Sequence, residues 1–198
     1  MEHILFIDGE NFKKKLATVF YTERKQRPQW NMYDFSGLFN HVLEGIRVDR
    51  KIFYAAKLVF HQKTEEKSRL LIEEQRHLKT HLEKQGFDFI FGGRVRGNAQ
   101  TDSAGKQMMV FKEKGVDVQI AVDMTKKAYR KELASAILAS SDSDLQPAIR
   151  AMKECSIPCI YLGFELEPNK GLTYTTKRTI LIRNSEVLRF APQTLLDR

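Results

Sequence analysis

Two aspartates two residues apart follow an apolar run in the second half of the chain. The run 133–139 leads through two serines into Asp142 and Asp144, and a helical pattern begins directly afterwards. Such a run is typical of a buried parallel strand. Residues i and i+2 of an extended segment project to one side, at the end of the strand where open α/β sheets bind ligands. Paired carboxylates repel each other unless they share a cation or a proton, so the pair indicates one of these two arrangements.

Helix capping is the competing interpretation of this pair. Asp is a preferred N-cap residue, and Asp144 precedes Pro147, which is tolerated in the first turn of a helix. Either Asp142 or Asp144 could therefore be the cap of the following helix. Capping explains one aspartate, whereas two together need a further reason.

Further acids end another predicted strand and open a predicted helix. The apolar run 3–7 ends in Asp8, and Asn11 follows three residues later. Asp117 lies at the start of a helical pattern over 114–124, where the helix dipole also favours an acid. Asp123, six positions further on, is rotated away from Asp117, so the two are not expected to serve one metal equally.

Basic segments flank these acids. The formal net charge of +8, from 33 Lys and Arg against 25 Asp and Glu, favours polyanions as partners. Segment 22–31 is predicted to be a polar loop, either a solvated connection or a surface where a base stacks on Trp30. Segment 92–98, rich in Gly and Arg, lacks the order of a dinucleotide fingerprint and is predicted to be a flexible loop before a strand or hairpin arm at 106–114. The predicted phosphate contacts are Arg24, Lys25, Arg27, Arg94, Arg96, Lys106 and Lys114.

Apolar runs alternate with amphipathic segments along the chain. Strands are predicted at 3–7, 51–56, 87–91, 133–139 and 157–163, and helices at 12–21, 34–46, 64–85, 114–124 and after 144. The pattern at 179–182 fits either element. This alternation predicts a three-layer α/β protein, with a mainly parallel central sheet of about five strands and helices on both faces.

The longest predicted helix carries two histidines at a metal-binding spacing. His77 and His81 lie four residues apart, but a third ligand is not evident, so both are predicted to be surface residues. Thr64 is the predicted N-cap of this helix, and Gly86 ends it.

The length of 198 residues and a hydrophobic fraction of 42% predict a single domain over 1–198. The sequence shows neither a membrane-spanning run nor a signal peptide pattern. Two cysteines are too few for a disulfide scaffold or a four-ligand zinc site. These features predict a cytoplasmic protein with reduced thiols and no membrane partner.

Three motifs, in this order, resemble the NYN domain family of PIN-like nucleases, in particular its bacterial LabA-like branch. They are Phe6–Asn11, Lys114–Val118 with Asp123, and Ser140–Asp144. The resemblance runs from residue 3 to about 165 and leaves 166–198 as a C-terminal extension. It implies a PIN-like fold in which the strands ending at Ile7 and Ala139 lie side by side.

The resemblance also implies a site. Asp8, Asp117, Asp142 and Asp144 would surround one Mg²⁺ or Mn²⁺ pocket and act as the catalytic set, supported by Asn11, Asp123 and Ser141. The family usually has Gly and an aromatic residue where this chain has Ser141 and Leu145. This departure removes no carboxylate, but it leaves the fit of the substrate open.

The implied activity is a metal-dependent ribonuclease that hydrolyses RNA. Hard divalent cations take carboxylate oxygens and can orient an in-line attack on a phosphodiester. Whether DNA is also a substrate stays open, and so does assembly of the protein as a homodimer. One alternative is a catalytically idle RNA-binding or regulatory module of the same fold. Another is a phosphatase with Asp8 as nucleophile, although Glu10 stands where such a site would place a second Asp.

Overall fold

The computed structural model describes residues 1–60, 62, 65–101 and 107–192. Within these residues, the strands are β1 (Glu2–Asp8), β2 (Arg50–Lys57), β3 (Asp88–Thr101), β4 (Gln107–Lys114), β5 (Leu133–Ala139), β6 (Cys159–Phe164) and β7 (Arg178–Ile182). The helices are α1 (Gly9–Arg24), α2 (Phe35–Val42), α3 (Glu65–Lys84), α4 (Val116–Tyr129), α5 (Gln146–Glu154), α6 (Lys170–Thr175) and α7 (Asn184–Arg189). The strands form one sheet in the order β4-β3-β2-β1-β5-β6-β7. Only the β3–β4 pair is antiparallel.

Helices cover both faces of this sheet. On one face, α1, α2, α3 and α7 pack through buried residues such as Leu16, Phe39 and Leu82. On the other face, α4, α5 and α6 pack through residues such as Ile120 and Ile149. The protein therefore has the three-layer, mainly parallel α/β architecture of PIN-like folds, as the sequence predicted.

The central strand β1 shows why an apolar run predicts a buried strand. Leu5 and Ile7 enter one core cluster and Ile4 and Phe6 enter the other, because successive side chains point to opposite faces. Strand β1 pairs with β5 in parallel, and Ile7 lies opposite Ala139. The predicted neighbour relation is confirmed, so Asp8 and the acids that follow β5 leave the sheet at the same edge.

The third strand is longer than predicted. The prediction of a flexible loop at 92–98 is wrong. Strand β3 continues to Thr101, and its pairing with β4 runs as far as the residue pair Arg94–Lys114. Strand β2 pairs with β3 only as far as Arg94, so 94–101 and 107–114 form a two-stranded ribbon with Arg94 and Lys114 at its base. This ribbon extends past the carboxyl edge of the sheet by roughly 23 Å. A register shift opposite Gly92 and Gly93 breaks the period-2 pattern there, which hid the continuity of the strand.

The other element boundaries differ less. Helix α1 runs on to Arg24, and α2 stops at Val42 instead of Ile46. The ambiguous segment at 179–182 belongs to strand β7, and together with β4 it extends the expected five strands to seven. Thr64, the predicted N-cap of α3, lies outside the described residues.

Of the two histidines on α3, His77 is exposed, as predicted. The prediction for His81 is wrong: this residue is half-buried, and its Nε2 lies 2.8 Å from the carbonyl oxygen of Tyr33. His81 therefore connects α3 to the segment before α2. Within the described part of the chain, no helix combines the length and the apolar character needed to cross a membrane.

Candidate metal centre

Three carboxylates converge at the carboxyl edge of the sheet. Asp117 comes from the first turn of α4, and Asp142 and Asp144 come from the segment that follows β5. Each offers an oxygen, and these oxygens all lie within 4.8 Å of one another. Asp117 and Asp142 are half-buried and Asp144 is exposed, so the group is open to solvent on one side.

A short 3₁₀ turn, Ser143–Leu145, separates β5 from α5 and sets the direction of these acids. Asp142 accepts the backbone N–H of Asp144 at Oδ1, 3.0 Å away, and so caps the turn. Of the two aspartates considered as caps, Asp142 caps this turn, and Asp144 does not cap α5, which begins only at Gln146 without a side-chain cap. Asp142 therefore both caps the 3₁₀ turn and contributes an oxygen to the group of three, while the Asp144 carboxylate is exposed.

Asp8, the acid predicted as the fourth member of the site, is not part of this group of three. It is 6% exposed, and both of its oxygens are engaged: Oδ1 accepts the backbone N–H of Asn11 (3.2 Å) and Oδ2 accepts the hydroxyl of Ser140 (3.0 Å). Burial raises the pKa of Asp8, and the negative charges of Asp142 and Glu10 add to this rise, while the two hydrogen bonds oppose it. Asp8 thus interacts with the cluster electrostatically, and its role as a metal ligand stays a prediction.

Ser141 is held by Asn11, the predicted supporting residue. The Oδ1 atom of Asn11 accepts both the backbone N–H (2.9 Å) and the hydroxyl (2.8 Å) of Ser141. The hydroxyl of Ser141, at the position where the resemblance led us to expect glycine, is therefore bonded within the protein. It links α1 to the loop that carries Asp142.

Asp123 lies away from the three carboxylates, as helix geometry predicted. Its two oxygens accept the Tyr54 hydroxyl (2.9 Å) and the Gln119 side-chain amide (2.9 Å). Tyr54 is fully buried and lies opposite Asp8 in the pairing of β2 with β1. Asp123 therefore fixes α4, the helix that also carries Asp117, against β2.

Glu113 is a carboxylate near the site that the sequence analysis missed. It is half-buried at the base of the ribbon, and its pKa is raised to about 7. Burial is the largest cause, the charges of Glu10 and Asp8 add to it, and Lys14 and Lys13 oppose it. The residue could have been found only from the hairpin register, which places Glu113 opposite Val95.

The predicted phosphate contacts fall into two separate groups. Arg94 and Lys114 are exposed and paired at the base of the ribbon, close to where α4 and Asp117 begin. Arg24 is the last residue of α1, and Lys25 and Arg27 follow it, with Lys25 about 24 Å along the helix axis from Gly9. The side chain of Arg96, and Lys106 as a whole, lie outside the described residues.

Trp30, which follows the second of these groups in the chain, packs into the protein. Its ring lies 6.5 Å from that of Tyr33 and 6.3 Å from that of Phe35, measured between centroids. The residue is half-buried against the core. These contacts favour the structural interpretation of Trp30 over a platform for a base.

Comparison with known proteins places this geometry in context. The family model of the NYN domain matches residues 3–181, without distinguishing a branch of the family. A search of curated proteins gives no match. Among solved structures, the fold is similar to that of a protein of unknown function from Vibrio parahaemolyticus, with a TM-score of 0.56 and 16% sequence identity over 91% of this chain and 93% of that one. At this identity the similarity shows the fold alone.

Proposed function

The chain belongs to the NYN domain family, and from this premise we propose that it is a metal-dependent ribonuclease that hydrolyses RNA phosphodiester bonds. One observation carries the proposal: Asp117, Asp142 and Asp144, from two separate elements, bring their oxygens within 4.8 Å of one another at the carboxyl edge. Like charges at this distance repel, so a cation shared by the three carboxylates would stabilise the arrangement.

The donor set fits Mg²⁺ or Mn²⁺. The three side chains offer only carboxylate oxygens, which are the ligands that hard divalent cations prefer. Asp117, Asp142 and Asp144 would hold the ion, with Asp8 beside them. A divalent ion bound there would supply a Lewis acid that lowers the pKa of water and offsets charge on a phosphate.

The surrounding residues orient the acids and the RNA. Asn11 and Ser140 fix the two oxygens of Asp8, and the N–H of Asp142 donates to the Ser140 hydroxyl at 3.1 Å. Arg94 and Lys114, at the base of the ribbon, would contact the RNA backbone beside the acids. We therefore propose that the RNA backbone runs along the face between the ribbon and the three carboxylates. In this proposal RNA is the main partner and the cytoplasm is the compartment.

A catalytically idle RNA-binding module of the same fold is the second candidate. It is favoured by Asp8, since both oxygens of this buried carboxylate already accept hydrogen bonds and Asp8 stays outside the group of three. Both candidates predict RNA binding, but only the first predicts cleavage.

Cleavage of a labelled single-stranded RNA by the purified protein separates the two candidates. We expect product to form with Mg²⁺ or Mn²⁺ and to stop forming when a chelator is added. A protein that binds this RNA, takes up neither ion and leaves the RNA intact would establish the binding module instead. A labelled DNA of the same sequence, run in parallel, would show whether DNA is also a substrate.

The salt dependence of RNA binding tests the phosphate contacts. Replacing both Arg94 and Lys114 by Ala should reduce the slope of log K against log salt by about 1.4 for single-stranded RNA, because each lost phosphate contact accounts for about 0.7. Fluorescence anisotropy at several salt concentrations, in an Asp142→Asn background that prevents cleavage, gives the slope.

Two comparisons complete this experiment. Lys153→Ala is the matched control, since Lys153 is exposed in the last turn of α5, at the opposite edge of the sheet. A slope unchanged by the double substitution would show that the RNA does not pass the ribbon base. The same measurement on Arg24→Ala with Arg27→Ala shows whether the bound strand reaches the far end of α1.

A further inference from the structure

Asn169, which precedes α6, makes hydrogen bonds to α6, to β6 and to Ser141, in the loop that carries Asp142 and Asp144. Its side-chain amide donates from Nδ2 to the carbonyl oxygen of Ser141 at 2.9 Å. Its Oδ1 accepts the backbone N–H of Leu172 at 2.9 Å, which caps α6. Its own backbone N–H donates to the hydroxyl oxygen of Tyr161 at 3.2 Å. The residue lies in 166–198, the C-terminal extension beyond the resemblance.

The backbone of Ser141 is thus held from two sides. Asn169 binds its carbonyl oxygen, while Asn11 accepts its N–H and its hydroxyl. Ser141 directly precedes Asp142, whose N–H donates to Ser140 and whose carboxylate caps the 3₁₀ turn. Fixing the peptide between Ser141 and Asp142 therefore fixes the direction in which the Asp142 side chain leaves the backbone.

The elements that hold Asn169 are themselves well anchored. Tyr161 is fully buried in β6. Its hydroxyl lies over Gly163, where a Cβ atom would come within 2.4 Å of the hydroxyl oxygen. The Thr175 hydroxyl of α6 shares its proton between the carbonyl oxygen of Gly171 at 2.7 Å and the side-chain oxygen of Gln146 at 3.1 Å, and Gln146 begins α5 two residues after Asp144. Helix α6 is therefore attached to the loop region at both of its ends.

We propose that Asn169 is a positioning residue of the metal centre: its Nδ2 donor fixes the Ser141 carbonyl and thereby aims Asp142 and Asp144 at Asp117. The metal part of this inference rests on the proposed function, while the positioning part rests on the hydrogen bonds alone. Capping of α6 is a separate role of the same side chain, so the test must leave the cap in place.

Asn169→Ser separates the two roles. Serine is a good N-cap residue, so it keeps an acceptor for the N–H of Leu172, but its short side chain has no amide to donate to Ser141. Asn169→Ala is the matched variant that loses both. We expect Asn169→Ser to unfold at a temperature close to that of the parent. Asn169→Ala should unfold at a lower temperature, because α6 has lost its N-cap.

Amide hydrogen exchange in the metal-free protein is the first readout. In Asn169→Ser, the N–H groups of Asp142 and Asp144 should exchange at least about tenfold faster than in the parent, because the peptide before them has lost a fixed partner. Amides in β1 should be unchanged. Equal exchange rates at Asp142 and Asp144 in the two proteins would overturn the inference, whatever the metal experiments show.

Mn²⁺ binding without RNA is the second readout. Outer partners of metal ligands typically change affinity by about 10- to 100-fold, so Asn169→Ser should weaken Mn²⁺ binding within that range. kcat for RNA should fall with it, and KM should stay near the parent value. A Kd within about twofold of the parent would refute the link to the metal centre. A parent protein that binds no Mn²⁺ would instead overturn the proposed function, leaving the exchange data to decide whether Asn169 positions the loop.

Discussion

Asp142→Asn is expected to remove metal-dependent RNA cleavage while leaving the fold intact. The asparagine keeps an Oδ1 atom that can accept the N–H of Asp144, so the cap of the 3₁₀ turn is retained. What it loses is a negative charge in a group whose oxygens lie within 4.8 Å of one another. Outer partners of metal ligands already contribute about 10- to 100-fold, so loss of a direct ligand should lower cleavage by more than about 100-fold. Initial rates with Mg²⁺ or Mn²⁺ measure this.

The same substitution should maintain or raise the stability of the metal-free protein. Removing one of three neighbouring charges relieves repulsion, so thermal unfolding in the presence of a chelator should occur at or above the parent temperature. Asp34→Asn is the matched control, because Asp34 also caps a helix, α2, through the N–H of Gly37, and its substitution should not affect cleavage. Parent-like cleavage by both Asp142→Asn and Asp8→Asn would rule out the nuclease proposal.

The sequence was sufficient to predict the elements that carry the acids. Strands such as 3–7 and 133–139 are buried on both faces, so their apolar runs identify them without tertiary information. Asp8 follows the first of these runs directly and Asp142 follows the second after two serines, and β1 pairs with β5 as the resemblance implied. The common edge for these acids was therefore predictable, because parallel neighbours end on the same side.

The remaining parts of the site depend on contacts that are distant in sequence. Glu113 approaches Asp8 only because β4 folds back along β3. Asn169 meets Ser141 across 28 positions. Neither contact leaves a periodic pattern in the sequence. The 3₁₀ turn after Asp142 was missed for a different reason: the same residues satisfy the preferences for a helix start, and only the packed structure shows a turn before α5.

Gly9→Ala is expected to cause the largest loss of stability among these variants. Gly9 begins α1 directly after Asp8, at a point where the helix approaches β2 closely. A Cβ atom there would lie 2.2 Å from a ring carbon of Phe53 and 2.5 Å from the carbonyl oxygen of Tyr54. Phe53 is fully buried and the carbonyl belongs to the backbone, so neither can move aside easily. Overpacking of this kind costs about 3 kcal/mol, at the upper end of the usual range.

Thermal and urea unfolding measure this effect. For a chain of this length, about 3 kcal/mol corresponds to a decrease in Tm of roughly 6–12 °C. Gly86→Ala is the control, because no described atom lies within 4 Å of a Cβ at that position and only its backbone angle (φ +81°) disfavours alanine. That strain alone costs about 1 kcal/mol. Equal losses in the two variants would show that α1 can shift away from β2. A larger loss in Gly9→Ala would show that close contact holds the first turn of α1 in place, and with it Asp8 and Asn11, the two N-terminal residues of the proposed site.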